Sequence, residues 1–344
     1  MVIYMLRRAL LVVALSLLIP AAPALGAVKV EWDGGTASSP KSGAAIGWET
    51  GFRTTSEWSL GENFSFILRD RLAIKSGAKD WTGVLERCYL RYESGPVRLN
   101  LGRQAVSWGV GWFFRPTDRI TPLAPLSKDE TRPGKDLALL RITTSPLTAI
   151  DMIGGEKLFA ARSEWRLGET NLRLLGILRQ EGENILGLDF QGGLKGLYGE
   201  TAFKWQAGSD LKSGEGVFLL GWKSMVGKGR LWFLEFLRDN SGEHDPELYD
   251  YSLLLGGGRI YLGQDYAVTG IQIPWDELTS FTVGAVANVD DGGALLTIQS
   301  SILLTDNLDV NLGAGLLAGG DKTEFATEAN GARFTFNLAA KYYF

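Results

Sequence analysis

The chain has one cysteine, Cys88, and one histidine, His244, in 344 residues. A single thiol excludes an intrachain disulfide, and a single imidazole removes most routes to a His-based catalytic or metal centre. Long apolar runs are missing too. Beyond residue 27 no stretch approaches the ~18 uninterrupted apolar residues of a spanning helix. There is no Gly-rich phosphate loop closing on Lys-Ser/Thr, and no dinucleotide fingerprint in a βαβ setting. The net charge is −4, so nucleic acid is not an expected partner.

What the chain does have is glycine (44), tryptophan (11) and an aromatic content of 11%. Its mean hydropathy of +0.01 is that of a water-soluble protein. A transmembrane β-barrel shows the same average, because only alternate residues of each strand face lipid.

The first 27 residues read as a cleaved secretory signal peptide. Arg7 and Arg8 form a positive start, residues 9–19 an apolar stretch, and Ala24-Leu25-Gly26 a small-residue cleavage site. The apolar stretch is too short to span a membrane. Residues 28–344 are expected to form one domain.

Within it, runs of alternating apolar and polar residues follow one another almost without pause. Phe64, Phe66, Leu68, Leu72 and Ile74 oppose Ser65, Arg69, Arg71 and Lys75. Val84, Cys88, Leu90 and Tyr92 oppose Arg87, Tyr89 and Arg91, and Leu308, Val310, Leu312 and Ala314 oppose Asp309, Asn311 and Gly313. The runs match the ~9–11 residues of a membrane-crossing strand. One series of short Gly/Pro/Asn/Asp turns alternates with one series of variable connectors, as expected of periplasmic turns and external loops. Counting strands gives seventeen from Ala44 onward, and Val28–Trp32 supplies an eighteenth; sixteen is the competing count. The fold class is therefore an all-β, transmembrane, antiparallel up-and-down barrel. Trp58, Trp165 and Trp275 sit beside short turns, and Trp81, Trp108, Trp112 and Trp205 beside long connectors, as in two interfacial girdles.

The chain closes on Phe334, Phe336, Leu338, Ala340, Tyr342 and Phe344, all of one parity. This ending resembles the C-terminal signal strand of bacterial outer-membrane barrels. The resemblance implies Phe336, Leu338, Tyr342 and Phe344 as a membrane-insertion signal read by the barrel-assembly machinery. It also implies a Gram-negative outer membrane as location, with lipid and lipopolysaccharide as neighbours. A second segment, Gly102-Arg103-Gln104 with Trp108-Gly109, then Asp118 and Pro122, is similar to a group of Gram-negative porin-like barrels. Its Gly-Arg-Gln part also resembles the alginate-export barrels. The likeness covers roughly 84–145 and the last strand, and assigns none of these residues a role.

Two features bear on a pore. The 105–135 connector exceeds the ~12–15 residues of an ordinary loop and is too aromatic to be disordered. On the eighteen-strand count it is the third external loop, which in general porins folds inward and narrows the channel. Trp108, Trp112, Phe113 and Phe114 would anchor it to the inner wall, and Arg115, Asp118 and Arg119 would reach the solvent path. The second feature is a row of guanidinium groups on the expected lumen parity: Arg69, Arg71, Arg87, Arg91, Arg98, Arg141, Arg162, Arg166, Arg173 and Arg179. Cations near the midplane of the lipid face cost ~2–4 kcal/mol, which favours placing these inward. They act either as braces against Asp70, Glu86, Glu93 and Glu164 or as a basic stripe favouring anions. Asp70 and Glu86 fall on the apolar parity, which predicts a local bulge or an end position. Later strands turn small neutral residues inward, among them Thr297, Gln299, Asn311, Gly313 and Asn337.

An enzyme is not expected. His244 with Asp245 is the one start of an Asp/His dyad, and Asp290-Asp291-Gly292 reads as a hairpin turn and not a metal site. No cofactor and no metal are expected. The reading is a porin or solute-specific channel for small hydrophilic solutes, anionic if the basic stripe is uncompensated. The alternatives are a structural or export component, such as one for polysaccharide, and a hydrophobic-solute transporter.

Overall fold

In the computed structural model, the described residues are 26–38, 47–75, 81–122, 132, 134–193, 196–227, 229–252, 261–320, 323–325 and 334–343. Residues 1–25 of the expected signal peptide and Phe344 of the expected insertion signal lie outside them. Alternating runs become strands wherever a turn former ends them. The first six are β1 (Gly26–Ser38), β2 (Gly47–Ser59), β3 (Phe64–Lys75), β4 (Thr82–Ser94), β5 (Val97–Gln104) and β6 (Lys135–Ser145). The next six are β7 (Thr148–Gly155), β8 (Leu158–Leu167), β9 (Thr170–Arg179), β10 (Glu183–Gly192), β11 (Leu197–Gln206) and β12 (Glu215–Val226). The last are β13 (Arg230–Asp239), β14 (Asp265–Pro274), β15 (Thr279–Asn288), β16 (Ala294–Thr305), β17 (Leu308–Ala318) and β18 (Phe334–Tyr343).

Each strand pairs antiparallel with the next, giving an 18-stranded sheet. β1 pairs with β2 along one side and with β18 along the other, Glu31 opposite Tyr343 and Ser38 opposite Phe336. The ladder returns on itself, which removes the exposed edges an open sheet would carry. β1 begins at Gly26, ahead of the Val28 start expected for the first strand. Connectors after even-numbered strands are short, such as 95–96, 146–147 and 306–307, while those after odd-numbered strands reach 105–134 and 240–264.

Exposed large apolar side chains mark the outward parity, for example Leu101, Leu174, Leu186, Phe218, Leu234 and Phe336. The inward parity is polar along much of the ring, but not on β9 to β14. There Leu175, Ile177, Ile185, Ala202, Val217, Leu219, Leu237 and Val268 turn inward and are buried. These strands are apolar on both faces, contrary to the simple two-faced pattern. The cause lies inside the ring: Val106, Trp108, Phe114 and Ile120 of the β5–β6 loop join them in one core.

One bulge reorders β4. The β3–β4 register slips between Arg69 and Asp70, so Arg69 faces Arg87 while Asp70 faces Leu85. Glu86 is the extra residue, as in a bulge that sets two residues against one. Its side chain turns inward and is buried against Arg53 and Arg69. Val84 thereby moves to a position opposite Arg71, not to the face of Cys88 where a regular strand would place it. Asp70 needs a different account: it stays on the face of Leu68 and Leu72, where Thr54 Oγ1 donates to its carboxylate.

Candidate functional site

The β5–β6 loop is built to hold a shape of its own. At its base Val106 N–H donates to Thr121 Oγ1 at 2.9 Å, and that hydroxyl donates back to Val106 O at 2.6 Å. Inside, Asp118 accepts Trp108 N–H at 3.1 Å and pairs with Arg132 at 2.5 Å. Gln104 donates to Leu137 O on β6 at 3.1 Å. These contacts make 106–121 a compact, closed loop packed by its own side chains. They also explain the Gly-Arg-Gln…Trp-Gly…Asp spacing as loop architecture. Asp118 is 3% exposed, so it staples the loop and does not reach the solvent path. Burial pushes its carboxyl above the usual carboxylate range, with Arg132 and Trp108 N–H working the other way.

Two glutamates on distant strands receive the tip. Glu200 of β11 accepts Val110 N–H at 2.5 Å and Gly111 N–H at 2.6 Å through Oε1. Its Oε2 accepts Thr117 N–H at 3.0 Å and the Thr117 hydroxyl at 2.7 Å. Glu235 of β13 accepts Phe113 and Phe114 N–H at 2.9 and 3.0 Å, a third bond from Trp112 N–H, and Tyr198 Oη at 2.9 Å. Both side chains lie on the inward parity, so the loop crosses the inside of the ring to reach them. A buried carboxylate is costly unless its oxygens are satisfied, and bonds to a charged group contribute roughly 1.5–3 kcal/mol each. Here backbone N–H groups supply them. Gly109 has φ +100°, and a Cβ there would stand 2.9 Å from Glu200 Oε1, so glycine is required where the loop meets its acceptor.

Aromatic contacts complete the dock. Trp112 stacks on Phe233 at 5.4 Å, Phe114 meets Tyr261 and Tyr266 edge-on, and the Arg162 guanidinium lies 5.1 Å over the Trp108 ring. Trp108 and Trp112 therefore belong to the interior and not to an interfacial girdle. Trp58 and Trp275 remain at the short-turn end, packed on Phe66 and Phe281. Arg115 and Arg119 bond to the loop's own carbonyls, Gly111 O and Pro116 O. Lysine or arginine does not neutralise Glu200 or Glu235 in any described ion pair, a feature that reading the charges in sequence does not reveal. The signal that would have found them is a lone Glu on the lumen parity of an otherwise apolar strand.

The arginines fall into two groups. On β6 to β10 they alternate with acids. Arg141 pairs with Asp151 at 3.2 Å and Glu164 at 3.3 Å, and Arg162 pairs with Asp151 at 2.6 Å. Arg173 joins Glu164 at 3.3 Å to Asp189 at 2.9 Å. Three guanidinium groups meet three carboxylates, which leaves this lattice neutral. On β2 to β4 the balance differs. Arg53 and Arg69 share Glu86, and Arg91 lies 3.5 Å from Glu57, while Arg87 donates to the carbonyls of Glu86 and Arg132. Arg71 lies opposite Arg53 in the register, and both make further contacts. The register also sets Glu31 of β1 opposite Arg53.

Three arginines stand apart from both groups. Arg98 pairs with Glu93 beside a short turn, and Arg166 donates to Gly168 O at another. Arg179, at the far end of β9, donates to Arg119 O and so ties the loop to the wall. At the C-terminus, Phe336, Leu338 and Tyr342 are exposed on the outward parity of β18.

The described strands form a closed antiparallel ring with one loop fixed across its interior. Solved structures of the same architecture include Pseudomonas aeruginosa OccK5 (OpdH), with a TM-score of 0.65 at 9% identity over 93% of this chain and 97% of that one. P. aeruginosa OpdK, solved with vanillate, gives 0.64 at 10% identity over 92% and 98%. A triple mutant of the Rhodopseudomonas blastica porin gives 0.51 at 10% identity over 93% and 100%. Identities this low carry the fold alone. No family model matches the chain, and no curated protein matches it in sequence.

Proposed function

We propose that this chain is a solute-specific channel of a Gram-negative outer membrane, passing small hydrophilic solutes with a preference for anions. The observation that carries it is the loop held by Glu200 and Glu235. It fills the β6 to β14 side of the interior with a packed apolar core. The remaining path runs beside β15 to β18 and β2 to β4. Its inward residues are half-exposed polar groups such as Thr297, Ser301, Asn311 and Asn337, together with the arginines of β2 to β4. A passage with small polar groups on one side and guanidinium groups on the other attracts anions and orients carboxylates, which guanidinium binds in two-pronged fashion. The solved OpdK holds vanillate, an aromatic carboxylate, which agrees with this class.

In this reading residues 1–27 direct export, and the outward ladder of Phe336, Leu338 and Tyr342 directs insertion. Lipid and lipopolysaccharide are the surroundings of the outward apolar band. The resemblance to alginate-export barrels rests on Gly-Arg-Gln alone, and those residues serve the loop base. Planar-bilayer recording tests the proposal. Unitary conductance steps with a reversal potential shifted toward the anion are expected under a salt gradient. A barrel that inserts and gives no steps is a structural component, and the channel reading then fails.

A further inference from the structure

We infer that the external rim carries a zinc-type divalent cation site made by His244, Asp265 and Asp290. These residues come from the β13–β14 connector, the start of β14 and the β15–β16 connector, and their ligand atoms all lie within 4.8 Å of one another. This departs from the expectation that Asp290 merely makes a turn.

Asp290 carries the argument. Its side chain is fully buried, and its two oxygens differ. Oδ2 accepts Gln264 N–H at 2.6 Å and Asp265 N–H at 2.8 Å, which fixes the carboxylate. Oδ1 is buried without a hydrogen bond and lies against His244 Nδ1. A carboxylate fixed through one oxygen presents the other in a set orientation beside the imidazole, where a cation can be shared between them. Asp265 is steadied by Arg238, whose Nη1 alone touches both its oxygens at 3.1 and 3.3 Å. A carboxylate has about four lone-pair positions, so one bifurcated nitrogen leaves positions for a cation.

The donor set selects the ion. One imidazole nitrogen with two carboxylates suits zinc, which takes four N/O/S ligands, with water completing the shell. Calcium wants ~6–8 oxygens and gains little from an imidazole. Asp245 is committed elsewhere: its carboxylate accepts Glu247 N–H at 3.0 Å and caps a short 3-10 turn, Pro246–Leu248. Bound zinc would tie the β13–β14 connector to the β15–β16 turn, just beyond the bridge between Glu243 and Gly263.

The test uses the full-length barrel in detergent on a Cys88→Ser background, so that no thiol competes. Metal-stripped protein is titrated with Zn²⁺ against a chromophoric chelator, and barrel closure of each variant is checked by heat-modifiable migration. One equivalent is expected, weakened at least tenfold by His244→Ala and by Asp290→Asn and unchanged by Asp245→Asn. Because the chain has a single histidine, one imidazole NMR signal should shift in proportion to added zinc. The inference is overturned by the absence of stoichiometric binding, by binding that survives His244→Ala, or by binding that depends on His244 but not on Asp290.

Discussion

Glu200 grips Thr117 twice, accepting its backbone N–H at 3.0 Å and its hydroxyl at 2.7 Å through one oxygen. Strand β11 thereby holds a loop that leaves the wall at β5. Replacing Glu200 with Gln keeps the shape but turns half of the acceptor into a donor facing N–H groups. The loop should loosen, with larger mean conductance and more current noise in single-channel records. Glu235→Gln should act in the same direction. Unchanged conductance in both variants would show that the loop does not limit the path.

The two arginine groups predict opposite phenotypes. Arg87 and Arg91 changed together to Gln should move the reversal potential toward cations with little loss of folded barrel, since Arg87 donates to carbonyls and Arg91 meets the exposed Glu57. Arg162→Gln, in the neutral lattice, leaves Asp151 buried with less compensation and should cost about 1–3 kcal/mol of stability. Its selectivity should change less. Heat-modifiable migration and reversal potential, measured on both variants, separate the roles. The selectivity difference should fade at 1 M salt, where the Debye length is ~3 Å.

Asp118 gives a pH dependence with a definite sign. Its carboxyl is raised in the folded state by burial, above the ordinary 3.8. A raised acid favours the closed loop most below its unfolded pKa, and that advantage is lost as pH rises through the folded value. Amide protection of the 105–122 segment should therefore fall between about pH 4 and the folded pKa. Asp118→Asn should remove that part of the change. A wild-type protection that rises across the window would contradict the assignment.

Cys88 tests the faces directly. It stands opposite Leu68 and Arg103 on the outward parity, next to Leu90. A lipid-soluble maleimide should label it in intact outer membranes, and a membrane-impermeant one should not. Rapid labelling by the polar reagent would invert the parity of β4 and β5.

Strand number, the alternation of short and long connectors and the outward apolar parity are legible because period-two patterning and turn residues are local information. Glu86 was half-legible: its wrong parity announced a bulge, but only the register shows that it moves Val84 inward. Asp118 does not reach the solvent path, and of the two places read for Trp108 the loop anchor agrees with its burial and the girdle does not, because a loop's own packing leaves no periodic trace. The doubly apolar strands hid most, since Leu219 and Leu237 look like misfits until the loop that covers them is known. His244 and Asp290 lie far apart in the chain, and only the fold brings them together.

The pairing of Glu31 with Tyr343 has a kinetic side. Sixteen strands can form their ladders from near neighbours in sequence, yet the ring cannot shut until its first and last strands meet. Until then both rims of the sheet stand open to pairing with other chains, and the closing step bears the entropy of a loop as long as the barrel itself. Assembly of this protein is thus governed by its final contact, with the interior loop free to settle on Glu200 and Glu235 only once the wall around it exists.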